Sequence, residues 1–315
     1  MKCLIVQPIH ADGFAALREA GVEAVLCPDA GMATVARMIP GAAAVITRNA
    51  GLSRDAIRAA DALKVVVVHG TGHDHVDIGF ATERGVLVCN TPGLNARSVA
   101  ELTLGLALAA ARLIPAADRS ERSGVHGFRE AELFVELHGK TALIVGWGAT
   151  GALVGRMLRD GLGMRVVVCS PRIADLDGFE RVASLRDGLA QADLISLHTS
   201  LRPETRGLVG TEALAEVKRG AILINTARGA LVDETALAEA IADGRIRAAA
   251  LDDYSVNAAI GPLAASPRVI FTPHLGAATN DALQRVAVAA ARTALAVLAG
   301  ERPATALNLQ MDARP

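Results

Sequence analysis

The stretch Thr141 to Gly151 reads TALIVGWGATG, an apolar run entering a GxGxxG pattern, and it promises a nucleotide held through its phosphates. Gly146 can turn tightly out of a strand, Gly148 lets the backbone approach a pyrophosphate, and Gly151 lets the following helix lie close on the sheet. That helix, expected from Ala149 to Gly161, starts just after Trp147. Its first N–H groups, near Ala149 and Thr150, face the anion. A second apolar run, Arg165 to Cys169, closes a βαβ unit of about 30 residues.

An NAD-binding unit carries an acidic residue about 20 residues past the glycines, bonded to the ribose hydroxyls. This chain instead reads Ser170-Pro171-Arg172 at the end of the second strand. A small hydroxyl removes repulsion toward a 2′-phosphate, and an arginine two residues on can pair with that group through its planar fork. NADP is therefore favoured. NAD remains the alternative if Asp175 or Asp177 bends back to the ribose.

Elements must position these residues, and the chain is rich in them. Strands are predicted at Cys3 to Gln7, Ala43 to Thr47, Val65 to Val68 and Val86 to Cys89 before the glycine motif. Leu194 to Leu197, Ala221 to Asn225, Ala248 to Leu251 and Val269 to Phe271 follow it. Such alternation with helical segments predicts an α/β class with two doubly wound parallel sheets. Between them Asn95 to Ile114 reads as one long alanine-rich helix, apolar on nearly every face, so a subunit interface is expected to cover part of it. A C-terminal helix, Asn280 to Leu298, leads to a strand-like Ala304 to Leu309.

At 315 residues two domains are expected, and 51% hydrophobic with 21% charged residues marks a folded globular chain. A net charge of -1 gives no broad attraction to nucleic acid or to an anionic membrane. Cys3, Cys27, Cys89 and Cys169 form no CxxC pair and read as small buried hydrophobes, and no metal-ligand set is expected. With no signal peptide or run of about 18 apolar residues, a reducing cytoplasmic setting is expected.

The ordered motifs resemble the D-isomer-specific 2-hydroxyacid dehydrogenases, a family that includes phosphoglycerate dehydrogenase and the hydroxypyruvate and glyoxylate reductases. The landmarks are Gly70-Thr71-Gly72-His73-Asp74-His75-Val76-Asp77, Asn90-Thr91-Pro92-Gly93, Ser98-Val99-Ala100-Glu101 and the glycine motif. They continue with Leu197-His198-Thr199-Ser200-Leu201, Glu204-Thr205-Arg206-Gly207, Asn225-Thr226-Ala227-Arg228-Gly229 and Thr272-Pro273-His274-Leu275-Gly276. The resemblance implies a Rossmann nucleotide domain, residues 94–280, inserted in a flavodoxin-like substrate domain made of residues 1–93 and 281–315. It also implies an active site in the cleft, a homodimer, and hydride transfer between a nicotinamide and a small 2-keto acid.

By that resemblance Arg228 holds the substrate carboxylate and polarises the ketone, and His274 is the acid and base, a task suited to an imidazole. Thr71 and Gly72 offer backbone amides to the carboxylate. Arg48, read from its own place after the strand Ala43 to Thr47, either reaches a distal substrate group or has a surface role. Asp252 faces the nicotinamide carboxamide. His198, Thr199, Thr205, Thr226 and Ala227 line the cofactor.

One position departs. The family's glutamate, five residues past Asp252, is Asn257 here. An amide orients an imidazole but brings no negative charge, so His274 is expected to lack an acidic partner, with a lower pKa and weak reduction at neutral pH. The leading expectation is an NADP-preferring reductase of glyoxylate or hydroxypyruvate. A cofactor-binding sensor that has lost catalysis is the alternative, and formate dehydrogenase-like hydride transfer, which needs no acid or base, is a minor one.

Overall fold

A computed structural model describes residues 1–309. The chain divides into two compact units, Met1–Asn95 with the chain from Ala277 onward, and Ala96–Gly276. These boundaries lie two to four residues from the expected 93/94 and 280/281, and residues 310–315 of the expected C-terminal return lie outside the described residues.

The first unit holds β1 (Lys2–Ile5), β2 (Glu23–Leu26), β3 (Ala42–Thr47), β4 (Val65–Val68) and β5 (Leu87–Asn90). All pair in parallel in the order β2-β1-β3-β4-β5, the flavodoxin-like winding. Val65 to Val68 is buried on both faces, which explains a β-branched run without alternation. β2 escaped the sequence reading because it is a half-exposed edge strand with a charged first residue. The helix Asn280–Leu298 packs a stripe of Ala287, Ala290, Ala291 and Ala294 into the core of this unit. After it the chain makes a single antiparallel bridge, Ala306 to Cys89, in place of the strand expected over 304–309. Asn308 completes the docking: its Oδ1 accepts the Val88 N–H at 3.0 Å and its Nδ2 donates to Val86 O at 3.0 Å.

The second unit holds β6 (Thr141–Val145), β7 (Arg165–Cys169), β8 (Glu180–Arg181), β9 (Leu194–Leu197), β10 (Ala221–Asn225), β11 (Ile246–Leu251) and β12 (Val269–Phe271). The order β12-β11-β10-β9-β6-β7-β8 is all parallel and is the Rossmann winding extended by one strand. Two apolar clusters fill its faces, one around Leu143, Leu189, Leu223 and Leu237, the other around Ile144, Leu158, Ile222 and the alanines of Ala96–Ala111.

The long helix is shorter than expected. It ends at Ala111, Leu113 takes φ +50, and a second helix, Ile114–Arg122, leaves at 59°. Pro115 is the cause: it has no N–H for a continuing turn, yet it fits the first turn of a new helix. Among the described residues no single helix is long and apolar enough to cross a membrane.

Candidate active site

The strands of the second unit end in register. Cys169 pairs with Val145, Val145 with Leu197, Leu197 with Asn225, Asn225 with Leu251 and Leu251 with Phe271. This row marks the carboxyl edge, where ligands bind in such sheets. Ser170, Gly146, His198, Thr226, Asp252 and Thr272 each follow it by one residue.

The glycine motif is built for an anion. Gly146 has φ +99, and a Cβ there would stand 2.7 Å from the His198 carbonyl oxygen and 2.8 Å from the Thr199 nitrogen, across the gap where strand order reverses. A Cβ on Gly151 would stand 2.1 Å from Gly146 O. One on Gly148 would meet no protein atom within 4 Å, and Gly148, the N-cap of the helix Ala149–Leu162, supplies no side-chain cap. The first N–H groups of that helix, at Ala149 and Thr150, are thus left to an external acceptor, and a pyrophosphate fits them.

Trp147 serves this loop through its backbone. Its ring is buried where a Cβ on Gly155 would stand 2.6 Å away, and it packs on Phe179 at 4.7 Å. Its N–H donates to Ser170 Oγ at 3.3 Å, so Ser170 is buried and ties β7 to the glycine loop. Arg172 is exposed. Both alternative ribose carboxylates are engaged elsewhere: Asp177, at φ +52, pairs with Arg156 at 2.9 Å, and Asp175 accepts the Asp177 N–H at 2.9 Å. The sequence reading missed Arg181, which donates to Ser170 O at 2.5 Å, Ile173 O at 2.5 Å and Ala174 O at 3.2 Å and so shapes the loop. A two-residue charged strand gave no signal for it.

His198 acts as a wall through its carbonyl, while its Nε2 meets Ser196 Oγ at 2.8 Å and burial pushes the imidazole down to about 4. Thr205 Oγ1 donates to Ser200 O at 2.8 Å and accepts from Arg202 N at 2.8 Å, which closes the loop after β9. Thr226 Oγ1 meets Thr103 Oγ1 at 2.9 Å.

Asn225, fully buried at the end of β10, folds the arginine loop: it donates to Arg228 O at 2.8 Å and accepts the Ala227 N–H at 3.0 Å. Arg228 Nη1 donates to Ala227 O at 2.9 Å. Gly229 is required by crowding, since a Cβ there would stand 2.7 Å from Tyr254 Cα.

Asp252 is buried and accepts from Thr272 Oγ1 at 2.6 Å, Leu275 N at 2.7 Å and Gly276 N at 2.8 Å. Its carboxylate, expected to face a carboxamide, is spent on the loop that bears His274. That residue takes φ +56, a conformation that costs most side chains about 1–2 kcal/mol and is held here by these bonds.

The expectation that His274 lacks an acidic partner is overturned. Asp253 Oδ2 lies 3.4 Å from His274 Nδ1, and Asp253 Oδ1 accepts the Gly229 N–H at 3.2 Å. Asn257 is exposed, and among the described residues its amide makes no hydrogen bond to the imidazole. Linear motif spacing pointed to position 257, whereas parallel register brings position 253 to the histidine.

In the first unit Arg48 follows β3, where the order of that sheet reverses, and donates through Nη1 to Pro8 O at 2.9 Å. The loop at Thr71 and Gly72 is held from the Asn90-Thr91 motif: Asn90 Nδ2 donates to Thr71 O at 2.9 Å, and Gly70 N donates to Thr91 Oγ1 at 2.8 Å. Among the described residues no acceptor takes the Thr71 or Gly72 N–H. His69, just before them, is pushed down to about 4 by burial and by Arg48.

Residues 104–276 match the model of the D-isomer specific 2-hydroxyacid dehydrogenase NAD binding domain. D-3-phosphoglycerate dehydrogenase of Methanocaldococcus jannaschii is 36% identical over 98% of this chain, which spans only 60% of that relative. Hydroxypyruvate reductase of Thermotoga maritima is 36% identical over 80% of this chain and 83% of its own. A crystal structure from Thermus thermophilus superposes with a TM-score of 0.90 at 36% identity, covering 98% of this chain and all of that one. By domain, sequence and fold the chain belongs to the D-isomer-specific 2-hydroxyacid dehydrogenases.

Proposed function

We propose that this chain reduces a small 2-keto acid, of the size of glyoxylate or hydroxypyruvate, with NADPH favoured over NADH. One observation carries the reading: a single carboxylate, Asp253, reaches both the Arg228 loop at Gly229 N and the imidazole of His274. A guanidinium and a proton donor on adjoining loops are what a 2-keto acid requires, one to hold the carboxylate and polarise the ketone, the other to protonate the alkoxide.

Bound nicotinamide supplies the hydride. Gly146, Gly148, Gly151 and the helix start at Ala149 and Thr150 hold its pyrophosphate, with Trp147 supporting the loop from below. Thr199, Thr205, Thr226 and Ala227 belong to the loops bordering the same edge. Arg228 orients the substrate carboxylate. His274 delivers a proton from Nε2, the nitrogen turned away from Asp253, and recovers it in the reverse direction. In the first unit we assign anion binding to the Thr71 and Gly72 amides and to Arg48. The preference for NADPH is supported by Ser170 and Arg172, and by the engagement of Asp175 and Asp177 within their own loop.

We also assign a homodimer. The helices Ala96–Ala111 and Ile114–Arg122 and the segment after them expose Leu108, Ile114, Val125, Leu133 and Phe134, a concentration of apolar side chains suited to a second copy.

The test is consumption of NADPH and NADH against a panel led by glyoxylate and hydroxypyruvate, with 3-phosphohydroxypyruvate as the larger competitor. Turnover faster with NADPH and a small acid is expected. Tight cofactor binding with no turnover on any 2-keto acid would overturn the reading in favour of a sensor. The 3.4 Å approach of Asp253 to His274 weighs against that alternative.

A further inference from the structure

We propose that Asp253 is the charge partner that orients His274 and stabilises its protonated form, replacing the carboxylate absent at position 257. The inference rests on the reductase reading and adds a positioning residue to it.

Two neighbouring aspartates divide the work on one loop. Asp252 takes the backbone of that loop through Leu275 and Gly276, and Asp253 Oδ2 stands 3.4 Å from its imidazole Nδ1. The reversed backbone at His274, φ +56, turns the ring and the following amides to different acceptors. Asp253 is itself fixed. Gly229 N holds its Oδ1, the absence of a Cβ on Gly229 lets the Asp253-Tyr254 backbone pass close, and the Tyr254 ring packs edge-on against Phe271 at 4.8 Å.

The other charged groups nearby are committed or cationic. Asp252 has three donors, Glu234 accepts from Ser255, and Arg97 pairs with Glu101 at 2.6 Å on the helix whose Ser98 bonds Gly276. Arg228, one residue from the Gly229 clamp, is cationic. The side chains of His274 and Asp253 are 41% and 27% exposed, so solvent screens the pair and its effect is moderate.

Two measurements test this. The first is kcat/KM for glyoxylate or hydroxypyruvate reduction between about pH 5 and 9 in the wild type, Asp253→Asn and Asp253→Asn with Asn257→Glu. The amide keeps an acceptor for Gly229 N but removes the charge. The high-pH limb should move down, costing about three- to tenfold near pH 8 and little near pH 5.5, and the added glutamate should recover part of it. A loss equal at every pH overturns the proposal. The second is the nitrogen NMR spectrum of His274 in the enzyme without substrate. An Nδ1–H tautomer is expected in the wild type, shifting toward Nε2–H in Asp253→Ala. A tautomer unmoved by that change overturns the proposal. If no 2-keto acid turns over, the reductase reading fails, while the spectrum still decides whether Asp253 holds the ring.

Discussion

Asp252 accepts the Gly276 N–H at 2.8 Å, so a carboxylate at the end of β11 sets the loop at the end of β12. Asp252→Asn keeps the shape but, whichever way the amide lies, turns an NH2 toward a backbone donor, Gly276 N or Leu275 N. We expect a stability loss of about 2–3 kcal/mol by chemical denaturation, because buried N–H groups lose their acceptor. Reduction should fall by about a hundredfold through displacement of His274, with nucleotide binding retained. Unchanged stability would show that the bonds are replaceable by water.

The glycine motif separates fold from binding. Gly148→Ala adds a methyl where no protein atom lies within 4 Å, so stability should stay within about 0.5 kcal/mol while nucleotide affinity falls tenfold or more. Gly151→Ala collides with Gly146 O and should lose both. The chain has one tryptophan, Trp147, beside this loop, so its fluorescence reports binding directly. Equal affinity in Gly148→Ala and the wild type would remove the pyrophosphate from this site.

Arg172→Ala should lower the NADPH to NADH ratio of kcat/KM by about tenfold, the worth of one charge-assisted pair with a 2′-phosphate. Arg172 is exposed, so its removal should not alter stability. A ratio that does not move would shift recognition of the 2′-phosphate to Arg181 or to another group.

Each unit holds a histidine that resists protonation, His69 buried and His198 partly buried. His69 and His198 fall from the ordinary 6.5 to about 4, chiefly through burial. The unfolded chain therefore binds protons between these values while the folded chain does not, and stability declines as pH falls from about 6.5 toward 4 and levels off below. The full effect is on the order of 3 kcal/mol for each histidine. Urea midpoints across this range should show the slope, and His198→Gln should reduce it.

Much of this was legible in the sequence. Ile144, Leu223 and Ala249 lie in strands buried on both faces, and such strands announce themselves as apolar runs. The edge strands at Glu23 and Glu180 did not, because an edge needs little apolar surface. Pro115 marked the end of a helix, but the break fell at Leu113, where the chain turns before the proline.

By itself the sequence determined the glycine-rich turn and the two sheets, because each depends on local pattern, and its short ordered motifs pointed to Arg228 and His274. Only the tertiary structure decided what surrounds them. Asp253 follows β11 and His274 follows β12, and parallel pairing of Leu251 with Phe271 brings the two together. Spacing along the chain carries no record of that register. A carboxylate displaced from position 257 to position 253 becomes visible only when neighbouring strands end side by side.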